Sequence, residues 1–142
     1  MSRVSTYLNF ERNTEAAFNF YKSVFGTEFV APIGRMGDVP SDPNHPIAEA
    51  DKNLVVNVQL PILGGHILLG TDAPKSMGFT LIAGTNVHIN LEPDTLLEAE
   101  QLFAALSVNG KVSMPITKMF WGAHFGSLTD QFGIQWMVNC AG

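Results

Sequence analysis

The sequence has few charged residues, one cysteine and no basic run. Asp, Glu, Lys and Arg together make up 15% of the 142 residues, against about 25% in a typical soluble domain. Part of the surface is therefore expected to be apolar, and a second copy of the chain is the simplest cover for it. The net charge of −5 argues against nucleic acid as a partner. We expect a single domain and a homodimer.

The lone cysteine, Cys140, excludes an internal disulfide framework and suits a reducing cytoplasm. No nucleophile motif surrounds it, so a buried structural thiol is expected. No apolar stretch approaches the ~18 residues that a membrane-spanning helix needs. The N-terminus also lacks the continuous apolar core of a signal peptide. We therefore expect a cytoplasmic protein without a membrane partner.

Several well-known catalytic motifs are missing. No G-x-G-x-x-G follows a strand and no P-loop is present, which argues against dinucleotide, methyl-donor and nucleoside triphosphate sites of the usual kinds. The four histidines form no His-x-His pair and no His-Glu-x-x-His motif. A helix-borne zinc site of the metalloprotease type is therefore not expected.

The most informative stretch is residues 120–139, which predict a β-hairpin. Apolar or aromatic runs at 120–128 and 134–140 flank a turn, and Gly133 can adopt the positive φ that ends such a turn. The second strand alternates between an apolar face and a mixed face: Ile134, Trp136, Val138 and Cys140 against Gln135, Met137 and Asn139. The apolar face is expected to pack on a helix, and the mixed face to line a semi-polar cavity.

Two helices and seven further strands are predicted from the remaining sequence. The first helix starts at Asn13 or Thr14 and ends at Gly26, and the second starts at the Thr95–Glu98 capping box. Residues 37–52, with three prolines, form a long loop that could be a lid or a dimer arm. The strands are expected at 3–10, 27–36, 54–60, 66–71, 80–82, 86–92 and 111–116.

A short internal repeat links the two halves of the chain. TYLNFERNT at 6–14 and VHINLEPDT at 87–95 share strand alternation, an identical Asn, Glu and Thr, and the same approach to a helix cap. Each helix is followed by three strand candidates. The order β-α-β-β-β therefore occurs twice.

The C-terminal stretch resembles the signature of the PhnB-like proteins, a branch of the vicinal oxygen chelate superfamily of glyoxalases, bleomycin resistance proteins and extradiol dioxygenases. That signature reads FWG–x–x–FG–x–x–TD–x–FG–x–x–WM–x–N, and it is matched from Phe120 to Asn139. Segments 16–26 and 109–115 also fit. The resemblance implies an α+β fold in which two βαβββ modules, about 1–73 and about 78–142, form a curved mixed sheet around a cavity, with the helices on the outer face.

The resemblance also implies where a metal would lie. Metal enzymes of the superfamily hold one divalent ion with ligands from the first and last strands of each module, which map near Tyr7, Leu69, His88 and Met137. Only His88 is a good ligand, so we expect no metal site. A divalent ion recruited through other donors stays open as an alternative: His45, Glu49, His66, Glu92 and His124.

The cavity itself is expected to be lined mostly by uncharged amides beside aromatic groups. His88 could exchange a proton there or merely satisfy hydrogen bonds, and Trp121, expected on a strand, could form an aromatic wall or pack in a core or dimer interface. The expected lining residues are Tyr7, Asn9, Asn57, Gln59, His88, Asn90, Trp121, His124, Gln135 and Asn139.

Three functions fit this sequence. The leading hypothesis is a metal-independent protein that binds a small, neutral or singly charged molecule. The second is a metal-dependent lyase, isomerase or dioxygenase of the vicinal oxygen chelate type. The third is a resistance protein that sequesters an antibiotic. Some PhnB-like proteins carry a ubiquinone-methyltransferase label, which this sequence does not support because it lacks a Rossmann-type methyl-donor motif.

Overall fold

The computed structural model of the chain describes residues 1–40 and 42–141. The chain divides into two compact units, residues 1–82 and residues 83–142. We call them module 1 and module 2. Each contains one α-helix and one four-stranded sheet.

Module 1 has the order β-α-β-β-β. Its sheet order is β1-β4-β3-β2, with β1 parallel to β4 and the other neighbours antiparallel. The parallel pair is possible because α1 and two strands lie between β1 and β4 in the chain. The elements are β1 (Thr6–Phe10), α1 (Thr14–Phe25), β2 (Gly34–Arg35), β3 (Val55–Pro61) and β4 (Ile67–Asp72).

Module 2 repeats this topology. Its sheet order is β5-β8-β7-β6, and again only the first pair, β5 with β8, is parallel. The elements are β5 (Ile89–Leu91), α2 (Leu96–Ser107), β6 (Lys111–Lys118), β7 (Ala123–Thr129) and β8 (Gln135–Ala141). The predicted α+β class with two βαβββ modules is confirmed, and each module forms its own hydrogen-bonded mixed sheet.

Five predicted strands are shorter than expected or absent, and one of them is the strand expected at 3–10, which begins at Thr6. The strand expected at 27–36 is reduced to Gly34–Arg35, consistent with Pro32, which cannot donate to a ladder. Residues 80–82 are not in a strand, and the strand expected at 86–92 covers only 89–91. The strand expected from 120 begins at Ala123, because Gly122 adopts a φ of 97° in a turn. Phe120 and Trp121 therefore lie in the β6–β7 turn.

The core of module 1 lies between α1 and one face of its sheet. Leu8 and Phe10 of β1 are buried, as is the helix stripe that includes Ala17, Phe18 and Tyr21. A Cβ added to Gly70 would collide with the ring of Phe18, so β4 needs glycine beneath the helix. The strand alternation predicted for TYLNF is observed as alternating burial along β1.

The core of module 2 is built in the same way with different residues. The predicted apolar face of β8 is buried: Trp136, Val138 and Cys140 are each at most 1% exposed. The indole Nε1 of Trp136 donates to Asp130 Oδ2 at 2.9 Å, which satisfies its polar atom inside the core. Gly126 lies under Phe103 of α2, where an added Cβ would come within 2.8 Å of the ring.

The two helices are capped differently. Thr95 caps α2 as the sequence predicts, with its Oγ1 accepting from the backbone N–H of Glu98 at 3.1 Å. At α1 the side chain of Asn13 makes no cap. Instead Asp72, at the end of β4, accepts from the N–H and the hydroxyl of Thr14 at 3.1 and 2.8 Å. Its other oxygen accepts from the N–H of Val55 at 2.8 Å.

Strand β6 is an exposed sheet edge. Seven of its eight residues are exposed, and its pairing with β7 shifts register twice. Lys111 and Lys118 are its end residues, and Pro115 lies in its second half. Charged ends, proline and irregular register are features by which sheet edges avoid pairing with other chains.

Candidate functional site

Each sheet has a second face, opposite its helix, and we call it the open face. In module 1 the register places Tyr7 of β1, Leu69 of β4 and Gln59 of β3 in one row across this face. Asn9 and Thr71 form the next row. Alternation along β3 puts Asn57 on the same face as Gln59. All four module 1 residues expected to line a cavity therefore share the open face.

The open face of module 2 carries a similar set of side chains. Asn90, Met137 and Ser127 form one row, and Asn139 pairs with Phe125. Gln135 lies at the start of β8 on the same face, where its Nε2 donates to the backbone oxygen of Val87 at 2.7 Å. Within the described strands β1, β3, β4, β5, β7 and β8, no charged residue lies on either open face. Amide, hydroxyl, thioether and aromatic groups are what these faces offer a ligand.

His88 lies just before β5 instead of inside it. Because Ile89 pairs with Trp136 in a parallel register, His88 is level with Gln135, and Met137 is level with Asn90. The sequence-based mapping that coupled His88 with Met137 is therefore off by two residues in β8. The side chain beside His88 is an amide, not a thioether.

His124 does not lie on the open face. It pairs with Cys140 and shares its face of β7 with Gly126 and Leu128, both buried beneath α2. Its Nδ1 is buried, with no hydrogen-bond partner among the described residues. The expectation that His124 lines the open-face cavity is not supported by this position. Sequence reasoning misassigned it because it gave β7 no face assignment of its own.

Trp121 also lies outside the strands of the open face. It is 52% exposed and Phe120 is 96% exposed, and the two rings meet edge to face with centroids 4.9 Å apart. Together they form an apolar tip on the β6–β7 turn. Such a tip is more typical of a contact with another surface than of a pocket wall.

The donors at the metal positions of the fold do not fit a divalent ion. Module 1 offers the phenol of Tyr7 and the hydrocarbon side chain of Leu69, and module 2 offers the imidazole of His88 and the amide of Gln135. Neither module supplies a carboxylate at these positions, and neither supplies the three good N, O or S ligands that a divalent ion needs. Among the described residues, no group of three or more His, Cys, Asp or Glu side chains is close enough to hold a metal.

Two cavities bear on the candidate site. One of about 300 Å³ in module 2 is lined by residues 92–94, Asn139 and Ala141, and Asn139 is one of the expected lining residues. The other, of about 500 Å³, lies in module 1 and is lined by residues 45–48, Asp51 and residues 76–78. We call it the loop cavity. The sequence identified its loop but not the cavity, because no local pattern connects Asp51 with Ser76.

Two carboxylates of module 1 have perturbed acidities. The hydrogen bond from Arg35 lowers the pKa of Glu15, with Nη1–Oε1 and Nη2–Oε2 distances of 2.6 and 3.0 Å. The hydroxyl of Ser76 and then Arg12 lower the pKa of Asp51. Neither carboxylate is on the open face. Their lowered pKa values reflect hydrogen bonds and ion pairs that join chain segments.

Comparison with known proteins identifies relatives across almost the whole chain. A family model described as 3-demethylubiquinone-9 3-methyltransferase matches residues 2–139. Protein PA1353 from Pseudomonas aeruginosa is 33% identical, with 99% of this chain and 98% of that chain covered and a TM-score of 0.84. The PhnB protein from Bacillus cereus is 27% identical, with 99% and 100% covered and a TM-score of 0.74.

More distant structures show the fold alone. A glyoxalase/bleomycin resistance protein/dioxygenase family enzyme from Burkholderia phytofirmans is 18% identical, with coverages of 96% and 97% and a TM-score of 0.62. A mutant form of the fosfomycin resistance protein FosX from Listeria monocytogenes is 12% identical, with coverages of 99% and 92% and a TM-score of 0.63. The chain therefore has the vicinal oxygen chelate fold. Among the described residues, none of the helices has the length and apolarity needed to cross a bilayer.

Proposed function

The chain belongs to the 3-demethylubiquinone-9 3-methyltransferase family, which includes PhnB-like proteins, and from that membership we propose that it binds a small neutral molecule without a metal. The observation that carries the proposal is the uncharged lining that strands β1, β3, β4, β5, β7 and β8 give to the open faces, with Lys111 at the β6 edge of module 2. Their amides can donate and accept hydrogen bonds at the same time. A ligand with hydroxyl, carbonyl or amide groups suits such a lining better than an ion.

We assign binding to side chains of the open faces and to His88, which lies just before β5. They are Tyr7, Asn9, Asn57 and Gln59 in module 1, and His88, Asn90, Gln135 and Asn139 in module 2. Tyr7 would contribute aromatic contact area and a phenol hydrogen bond. His88 would be a hydrogen-bonding group beside Gln135. Trp121 and His124 are not part of this assignment.

Charge-insertion variants test the proposal with little change in shape. Asn9→Asp and Gln59→Glu place a carboxylate on the open face, which a neutral ligand would leave poorly solvated. The matched controls are Asn19→Asp on the exposed side of α1 and Gln101→Glu on the exposed side of α2. Native mass spectrometry of the protein purified without added ligand should show a small organic adduct in the wild type and both controls. The adduct should be lost in both open-face variants.

The opposite results would contradict the proposal. An adduct that survives in Asn9→Asp and Gln59→Glu would show that the ligand lies elsewhere. The FosX structure contains Mn(II) and 1S,2S-dihydroxypropylphosphonic acid, and a metal enzyme is the competing function. One metal ion per chain, lost together with thermal stability on chelation and on His88→Ala, would replace the proposed function with that one.

A homodimer in the cytoplasm accompanies the proposed function. The exposed pair Phe120 and Trp121 supports self-association, as does the apolar surface of Val112 and Met114 on β6. The buried free thiol of Cys140 suits a reducing compartment. Light scattering at micromolar concentration should give twice the chain mass. A monomeric mass throughout a dilution series would exclude the dimer.

A further inference from the structure

The loop cavity of module 1 has the size of a small-molecule site. Its volume of about 500 Å³ lies within the roughly 300–1,000 Å³ typical of ligand pockets. None of its lining residues belongs to the open face. It is therefore a separate place on the molecule where a ligand can bind.

The floor of the loop cavity is an ionic group held in place from two sides. Asp51 is only 3% exposed. Its Oδ1 lies 2.9 Å from Arg12 Nη2, and its Oδ2 accepts from the Ser76 hydroxyl at 2.7 Å. Arg12 also donates to the backbone oxygen of Ala50 at 3.2 Å. Each carboxylate oxygen can accept more than one hydrogen bond, so Asp51 can accept a further donor from the cavity.

The walls of the cavity combine apolar and polar groups, and His45 and Ser76 supply polar groups beside Asp51. Pro46, Ile47 and Ala48 line it from one loop and Met77 from the other. Methionine adapts its shape to an irregular partner at little cost. A ligand in this cavity would therefore meet hydrocarbon and thioether surface on its sides and a carboxylate at the floor.

Backbone hydrogen bonds hold both loops in shape. In the first loop the N–H of Asp51 donates to Ala48 O at 2.9 Å. In the second the N–H of Gly78 donates to Lys75 O at 2.9 Å, and the N–H of Lys75 donates to Glu11 Oε1 at 3.3 Å. The cavity thus exists before any ligand enters, which reduces the entropy cost of binding.

We propose that the loop cavity is a second binding site, specific for small organic amines in their ammonium form. The described residues that line it include one aspartate and no lysine or arginine. An ammonium group would form a charge-assisted hydrogen bond with Asp51, while the apolar body of the amine packs on Ile47 and Met77. An organic anion such as a carboxylate has no donor for the remaining acceptor positions of Asp51.

The test is an NMR titration of the full chain with two probes of the same size, benzylamine and benzoate. Benzylamine should shift the backbone amides of Ala48, Asp51 and Gly78 in a saturable way, and benzoate should not shift them. Equal effects of both probes would overturn the proposal. So would benzylamine shifts that fail to saturate or that appear on the open-face residues Tyr7, Asn9 and Gln59.

Two variants with matched controls locate the site. Ala48→Trp should fill the cavity and weaken benzylamine binding by about ten-fold or more, whereas Ala31→Trp, at another exposed position, should leave it unchanged. Asp51→Asn should weaken benzylamine binding similarly. Its control, Glu100→Gln, makes the same change in net charge and should leave benzylamine binding unchanged. Unaltered binding in Ala48→Trp, in a variant whose spectrum shows a folded protein, would contradict the assignment even if Asp51→Asn fails to fold.

Discussion

Module 1 and module 2 share one topology, but an aromatic ring reaches equivalent core positions from the helix in module 1 and from the sheet in module 2. Leu8 of β1 pairs with Gly70, and its repeat counterpart Ile89 of β5 pairs with Trp136. In module 1 the ring of Phe18 on the helix occupies the space above the glycine. In module 2 the sheet itself supplies the ring. Equivalent positions can therefore carry the smallest and the largest side chains, provided that the opposing layer compensates.

Asp72 in module 1 and Asp130 in module 2 are both buried carboxylates, and they serve different purposes. Asp72 holds the start of α1 and the start of β3, as described above. Asp130 holds the β7–β8 turn and accepts from the N–H groups of Phe132 and Ile134 at 2.8 and 3.1 Å and from the indole of Trp136. A carboxylate that accepts several N–H bonds is a strong local organiser. In module 1, Asp72 connects segments that are distant in the sequence. In module 2, Asp130 organises a local turn.

The largest expected effect tests whether the ring of Trp136, on the sheet, fills the core of module 2. Trp136→Ala removes a fully buried ring and the partner of an Asp130 oxygen, so the free energy of unfolding should fall by about 3–5 kcal/mol. Urea denaturation measures it. Trp121→Ala, which truncates the exposed indole, should change stability by only about 0.5 kcal/mol or less. An unchanged midpoint for Trp136→Ala would show that the assignment of the β8 faces is wrong.

The next effect tests the long-range role of Asp72. Asp72→Ala leaves the N–H groups of Thr14 and Val55 without their acceptor, and we expect a loss of about 3 kcal/mol. Hydrogen exchange should speed up both at the start of α1 and at the start of β3. Faster exchange confined to β4 would show that Asp72 does not connect these segments.

A smaller effect tests the local cap of module 2. Thr95→Ala removes one side-chain acceptor at the start of α2, and the free energy of unfolding should decrease by about 1 kcal/mol. Thr95→Ser retains the hydroxyl and should recover most of the loss. A penalty as large as that of Asp72→Ala would remove the distinction between a local and a long-range cap.

The smallest expected effect is on how stability depends on pH. It tests a further difference between the modules, since the ion pairs found among the described residues all lie in module 1. Arg35 lowers the pKa of Glu15 in the folded state below its ordinary value of 4.5. The pair therefore stabilises the protein above that value and loses its effect as the pH falls through the lowered pKa. At pH 7, Glu15→Gln should cost less than about 1 kcal/mol, since both side chains are partly exposed.

Stability curves of the wild type and Glu15→Gln should therefore converge in acid. Glu100→Gln changes the same type of residue on an exposed position of α2 and should leave the curve parallel to that of the wild type. A difference between wild type and Glu15→Gln that persists far below pH 4.5 would show that the substitution acts through packing and not through charge.

Local patterns in the sequence predicted the fold well. Alternation placed Trp136, Val138 and Cys140 on the buried face, and the capping box located the start of α2, because these signals depend on neighbours in the chain. Asp72 as the cap of α1 could not be predicted, since the two segments are more than fifty residues apart in sequence. The β6–β7 turn was also missed, because aromatic residues at 120–121 have high strand propensity and only Gly122 signals the turn.

The candidate site was predictable only as far as strand alternation reaches. The open-face positions of Tyr7, Asn9, Gln59 and Asn90 follow from period two. The pairing of His88 with Gln135 depends on inter-strand register, which the repeat alone did not determine. The position of His124 on the helix side of the sheet required knowledge of which face of β7 the helix covers.

The exposed edge of β6 has a consequence for how copies of this protein can associate. An open edge of eight residues would normally invite a second chain to extend the sheet, the route by which domains polymerise. Pro115 removes a donor from that edge, the register shifts bend it, and the terminal lysines of two copies would repel in an antiparallel or parallel match. We therefore expect any self-association to use side-chain packing, for which the Phe120–Trp121 tip is an exposed apolar group, and not extension of this edge.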